Sequence, residues 1–311
     1  MGAVKRLLIT GASGFIGRAT VDAAVEAGLD VVAVQRRAGS QRDGVTYAKI
    51  DLTARDALQS LTAALAGCDA AIHLAASMSG DPDAHKKLTI GGTETLLQAM
   101  SQAGVGHLTL ASSLAVFDTF EVPVGGDLTD ACRLENPTMS RDAYSGAKVK
   151  QEQLARAARL DSVAMLRPGI VYDDAHLWNA HLGIGVGPVL IRIGDDGPLP
   201  LCHVKRCAAA LVHGTVKRMN VTTAVLDPVL PNRSQVIRQL KRGGWPKVVV
   251  PFPWQGLWTL ARVLRPVSAN LPGLLREAVL RQRLLPMGYA MQMPDAFAGL
   301  PNPAPDWERW S

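Results

Sequence analysis

An apolar, β-rich run, VKRLLIT (4–10), leads directly into Gly11-Ala-Ser-Gly14-Phe-Ile-Gly17, and an alanine-rich amphipathic run follows to Ala27. A glycine triad placed between a strand pattern and a helix pattern admits few structures. Gly11 permits a tight turn, Gly14 lets the backbone approach a pyrophosphate, and Gly17 lets the helix pack closely on the strand. The free N–H groups and dipole at the helix N-terminus then favour an anion. Gly28 stands where a helix C-cap belongs. The stretch therefore predicts the first strand–turn–helix of a dinucleotide-binding unit.

The same alternation continues. Strands are expected at 30–34, 45–50, 69–76 and 107–113, with helices at 53–65 (Thr53 as N-cap) and 83–103. Strands separated by helices of this length imply a doubly wound parallel α/β sheet, Rossmann-like, with right-handed crossovers. After residue 113 the rhythm changes. An irregular loop (118–140), a helix (142–160), a strand (162–172) and a helix (205–218) precede an Arg-rich, Pro-punctuated tail. The pattern divides the chain into a dinucleotide-binding domain, 1–172, and a smaller C-terminal substrate lobe, 173–311, with segments returning to the sheet.

The net charge of +6 conceals an asymmetry. Lys205–Leu285 carries fourteen Lys/Arg against two acids, Asp227 and Glu277, a net of +12, and the rest of the chain is −6. An anionic partner would suit such a segment, whether nucleic acid, anionic lipid or a phosphorylated small molecule; a solvated basic surface is the plain alternative. No apolar run reaches membrane-span length. The stretch 248–267 pairs Trp254 and Trp258 with arginines as membrane-surface helices do, but its prolines fit a partly buried helix of the lobe better. The N-terminus does not read as a signal peptide, so a cytoplasmic protein with reduced cysteines is expected. Cys202, His203 and Cys207 lie close together but lack a fourth ligand at usual spacing, and no metal site is expected.

Two further features bear on chemistry. At the end of the second strand, where a carboxylate would grip the ribose diol of NAD, the chain has Gln35-Arg36-Arg37, and two guanidinium groups suit a 2′-phosphate. Asp51, after the third strand, is placed for the adenine edge or as an ordinary turn acid. In DAYSGAKVKQEQ (142–153), Tyr144 and Lys148 lie one helical turn apart on the same face, and a cation beside a phenol eases its deprotonation.

The ordered series TGASGFIG (10–17), Asp51-Leu52, HLAA (73–76), GGTETLLQA (91–99), SSLAVF (112–117), YSGAK (144–148) and LRPGIVY (166–172) resembles the extended short-chain dehydrogenases/reductases, the NAD-dependent epimerase/dehydratase family. The resemblance covers about the first 175 residues. It implies Ser113, Tyr144 and Lys148 as the catalytic set, with Ser112 a structural neighbour and Glu152 a frequent acid after the lysine. It implies cofactor contacts from Gly11, Ser13, Gly14, Phe15, Ile16, Gly17, Arg36, Arg37, Asp51, Leu52, Leu74, Ala75, Ala76, Tyr144, Lys148 and Pro168, with Gly169 beside the nicotinamide. NADP is slightly favoured over NAD. The partner is then a small anionic molecule and not nucleic acid, and a homodimer is expected. The chain departs from the family at Thr89 (often Asn), Phe117 (usually Tyr), Ala147 (usually Ser) and Lys205 (usually an acid).

The implied chemistry moves a hydride between the cofactor and a carbinol or ketone carbon. Tyr144 exchanges the proton on oxygen and Ser113 holds that oxygen. Leu114-Ala115 after Ser113 leaves out the acids a dehydratase needs. An epimerase acting on a nucleotide-sugar-like substrate, an NADPH-dependent ketone reductase, and a non-catalytic dinucleotide sensor remain. Arg233, Arg276 and Arg281 are expected to meet the substrate's phosphates.

Overall fold

The computed structural model describes residues 2–37, 42–265 and 275–307. Five short apolar strands lead the chain: β1 (Arg6–Thr10), β2 (Asp30–Gln35), β3 (Val45–Lys49), β4 (Ala70–His73) and β5 (His107–Ala111). They join Ser162–Pro168 and Val221–Val225 in a seven-stranded sheet. Every pairing is parallel, in the spatial order Val221–Val225, Ser162–Pro168, β5, β4, β1, β2, β3. Strands covered on both faces read as continuous apolar runs, and Leu7, Leu8, Ile9, Ala71 and Ile72 are fully buried.

One face packs against α1 (Phe15–Glu26) and the helix Val204–Val216. The other packs against α2 (Ala57–Ala64) and the helix Gly92–Ala103. Strand order reverses between β1 and β4, where ligands of doubly wound sheets bind. Thr10 pairs with His73 there, so the glycine loop and the segment leaving β4 open side by side.

Several boundaries differ from the sequence reading. The second helix begins at Ala57 and not at Thr53. The Asp51 carboxylate accepts from both the Thr53 N–H and the Thr53 hydroxyl, which holds Thr53 in a turn and delays the helix. The expected strand 162–172 divides at Gly169 into Ser162–Pro168 and Ile170–Tyr172. There the Pro200 carbonyl sits 2.0 Å from where a Cβ on Gly169 would lie, so only glycine admits the crossing chain.

The C-terminal region holds a three-stranded sheet (Gly183–Val186, Val189–Ile193, Val248–Phe252) and the helices Arg233–Arg242, Trp254–Val263 and Glu277–Arg283. Trp254 is buried and Trp258 packs against the cluster around Ile193, Leu280 and Leu284, so both rings face inward. Among the described residues no helix is long and apolar enough to cross a membrane. Cys202 and Cys207 are buried in the core beside Ala210 and Leu211.

Candidate active site

A cleft of about 1100 Å³ opens at the C-terminal ends of β1, β4 and β5. Its floor is the glycine loop. The helix-opening residue, Gly14, caps α1 without any side chain, and the first turn of α1 carries no acid, which leaves its N–H groups free for an anion. A Cβ on Gly11, whose φ is +68°, would lie 2.8 Å from the Ala75 N atom, and one on Gly17 would lie 2.1 Å from the Gly11 carbonyl. These residues fit a dinucleotide pyrophosphate. All of the expected cofactor contacts line the cleft except Arg37, which is exposed beside it. The Asp51 carboxyl is held below its usual range by the hydrogen bonds from Thr53, with the Arg36 guanidinium adding to the effect.

The helix Ala143–Ala157 brings Tyr144 and Lys148 to the cleft wall, with Ser113 beside the Tyr144 phenol. Asp142 caps this helix by accepting from the Ser145 N–H and hydroxyl, both at 2.8 Å. Ser113 in turn caps the short turn Leu114–Val116, its hydroxyl accepting from Ala115 N at 3.1 Å. Ser112 faces the other way and donates to the Glu152 carboxylate at 2.6 Å. Glu152 also takes two hydrogen bonds from Arg167 and one from Arg156. The acid after the lysine is thus a strut joining the helix to β5 and to Ser162–Pro168.

Lys148 is buried, with its ammonium donating to the Ala111 carbonyl at 2.8 Å and to Gln151 Oε1 at 2.9 Å. Behind it runs a chain of hydrogen bonds whose direction can be assigned. The Thr93 hydroxyl donates to the Thr89 carbonyl at 2.5 Å and accepts from Gln151 Nε2. Its third partner, His73 Nε2, must therefore donate, and His73 Nδ1 accepts from Thr10. Burial, with Lys148 adding, pushes the imidazole down to about 3, consistent with this neutral tautomer. The Thr10 oxygen accepts from Leu74 N and Ala75 N, which line the cleft. The lysine and the floor of the cleft are held by one continuous network. Thr89 joins it by accepting from Ser77 N.

The electrostatics differ from the sequence expectation in one respect. Burial pushes the Tyr144 phenol above its ordinary value. Ser113 and, more weakly, the Arg141 guanidinium act against burial, while the Asp142 carboxylate adds to the rise. Burial also pushes the Lys148 ammonium down to about 8. Lys148 spends two of its three donors on Ala111 and Gln151, and the third remains for whatever occupies the cleft.

At the far end of the cleft the three expected arginines separate. Arg276 lines it. Arg233 does not: it is buried behind the wall, donating to the carbonyls of His181, Asp195 and Arg283. Arg281 also lies outside, bound to the Thr119, Phe120 and Val122 carbonyls with Phe120 against its guanidinium. His181, Gln282, Arg283 and Tyr289 line the far end and carried no sequence signal. Arg233 thus fixes the backbone of two residues that line the cleft, His181 and Arg283.

Residues 7–172 match the model of the NAD dependent epimerase/dehydratase family. The chain belongs to that family. A UDP-glucose 4-epimerase of Streptomyces lividans is 30% identical over 221 residues, covering 63% of this chain and 65% of the relative. An L-arabinose 1-dehydrogenase (NAD(P)(+)) of Haloferax volcanii is 33% identical over 142 residues, 45% of this chain and 50% of the relative. The chain therefore spans between half and two thirds of the length of these relatives. The Thermus thermophilus UDP-glucose 4-epimerase complex with NAD superposes with a TM-score of 0.67 at 21% identity, covering 97% of this chain and 96% of the other, and so shares its fold. The match to the family model ends at Tyr172, so the residues of the far end lie beyond it.

Proposed function

We propose that the protein is a nicotinamide-dependent oxidoreductase of the epimerase type, acting on a carbinol or ketone carbon of a nucleotide-sugar-like anion. The observation that carries this reading is the meeting of Ser113, Tyr144 and Lys148 with the glycine loop at one end of a cleft and with Arg276 and Arg283 at the other. The nicotinamide, when bound, supplies the hydride acceptor or donor. The chain's residues do the rest. Tyr144 takes the proton from the substrate hydroxyl, or returns it to a carbonyl. Ser113 donates to the same oxygen as its charge changes. Lys148 directs its free N–H toward the cofactor ribose. Arg276 and Arg283 pair with phosphate oxygens.

On the cofactor, Arg36 at the cleft edge and the absence of a carboxylate at the end of β2 support NADP over NAD. UDP, titrated by calorimetry with NADP present, tests the substrate class: binding that weakens with salt supports it. No heat at millimolar UDP, together with reduction of an uncharged ketone, would replace it with the reductase reading. The apolar Leu128, Val279 and Met287 in the far wall are what favour that second reading.

A further inference from the structure

The loop between Ser113 and Tyr144 contains a buried cation for which the hydride-transfer reading has no use. Arg141 has a side chain only 1% exposed. Its guanidinium donates to the Phe117 carbonyl at 3.0 Å and to the Ala115 carbonyl at 2.5 Å, and pairs with the Glu135 carboxylate. A charge this deep is costly unless paired and hydrogen-bonded, so the site has been built around it. Ala115 belongs to the turn that Ser113 caps, and Phe117 follows it immediately. On its other side Arg141 adjoins Asp142, the cap of the helix that carries Tyr144 two residues further on. One side chain therefore spans the two segments that must be held in register for Ser113 and Tyr144 to grip the same oxygen.

We infer that Arg141 is a positioning residue for the Ser113–Tyr144 pair, tying the Ser113 turn to the start of the catalytic helix and placing a fixed positive charge in the surroundings of the phenol. The inference rests on the reading of Tyr144 as the acid–base group. A planar fork is needed, because two carbonyls and a carboxylate must be met at once, and lysine offers a point charge without that geometry. Glu135 comes from the long loop after the Ser113 turn and anchors it to the same guanidinium. The groups around Tyr144 are Ser113 from the turn, His85 edge-on with ring centres 6.0 Å apart, Asp142 at the cap, and Lys148 one turn along its own helix. Arg141 acts on the phenol as a cation, against burial and the Asp142 carboxylate, while the Lys148 ammonium is turned toward Ala111 and Gln151.

The test needs no substrate. Protein carrying 3,5-difluorotyrosine, whose phenol ionises near neutrality, reports each of the chain's four tyrosines through its own pair of ring fluorines. The resonance missing from Tyr144→Phe belongs to Tyr144. Arg141→Gln is expected to shift the Tyr144 midpoint upward, because the cation that opposes burial and the Asp142 carboxylate at the phenol is removed. Arg141→Lys keeps the charge but not the fork; it is expected to hold the midpoint nearly steady while amide hydrogen exchange in residues 112–117 speeds up at least ~10-fold. The inference is overturned if the Gln variant's Tyr144 midpoint is the same as the parent's or lower. Should that variant not fold, the Lys variant decides: parent-like exchange at 112–117 overturns the inference and faster exchange supports it. Neither readout measures turnover, so a negative result leaves the hydride-transfer reading standing. That reading fails on its own if Tyr144→Phe turns over normally.

Discussion

Glu152→Gln isolates the strut beneath the site. The carboxylate accepts from Arg167 Nε at 2.9 Å and Arg167 Nη2 at 2.8 Å, from Arg156 at 2.9 Å and from Ser112 at 2.6 Å. Glutamine keeps the shape but removes the charge and turns one acceptor into a donor facing donors. Arg167, 7% exposed, then holds a charge without a counter-ion in Glu152, with the Phe117 ring 4.8 Å away to soften it. Breaking a buried pair in this way costs about 3 kcal/mol or more. Burial alone would raise the Glu152 carboxyl, but Arg167, Ser112 and Arg156 outweigh it and hold the group below its usual value. An acid depressed by folding stabilises the protein above its unfolded pKa, and that contribution is lost as pH falls through the folded value. Equilibrium urea denaturation of the cofactor-free protein should therefore show the full deficit at pH 7 and a shrinking one toward acid. Glu152→Leu with Arg167→Met should recover most of it, because no charge is left stranded. A Gln variant within about 1 kcal/mol of the parent at pH 7 would refute the strut.

Gly17→Ala places a Cβ 2.1 Å from the Gly11 carbonyl, so the loop must shift; NADPH affinity, followed by nicotinamide fluorescence, should fall at least ~10-fold. Arg36→Ala should weaken NADPH about 10-fold or more while leaving NADH nearly unchanged, and equal losses for the two would remove the 2′-phosphate assignment. Lys148 is held at about 8 against an ordinary 10.5. The folded state therefore binds fewer protons than the unfolded state across that window, and this residue's penalty of about 3 kcal/mol lifts as pH rises through it. Denaturation of Lys148→Met beside the parent should show the Met variant's relative advantage at pH 7 shrinking by pH 10.

What the sequence revealed and what it concealed have physical causes. Backbone requirements are visible: Gly11 and Gly17 stand where any Cβ would collide, and the glycines announce it. Tyr144 and Lys148 were legible because a helix converts spacing into a shared face. The start of α2 was not, because Thr53 was captured by Asp51 instead of opening the helix. The arginines of the tail misled for a related reason. Arg206, Arg233 and Arg281 spend their donors on main-chain carbonyls, and a carbonyl partner leaves no trace in residue type. Part of the +12 charge is therefore internal mortar. Arg283 lines the cleft because Arg233 fixes its backbone from behind, a relation between residues fifty apart that no local pattern encodes. The chain through Gln151, Thr93, His73 and Thr10 was hidden likewise, since it joins four separate elements.

The most direct test is to give the parent protein and Tyr144→Phe the same NADP or NAD and UDP-glucose, following reduced nicotinamide by absorbance and UDP-galactose by proton NMR. The account predicts turnover by the parent, a fall in kcat of at least ~10² in the Phe variant, and cofactor affinity within about 2-fold. Turnover at the parent's rate without the Tyr144 hydroxyl would contradict it.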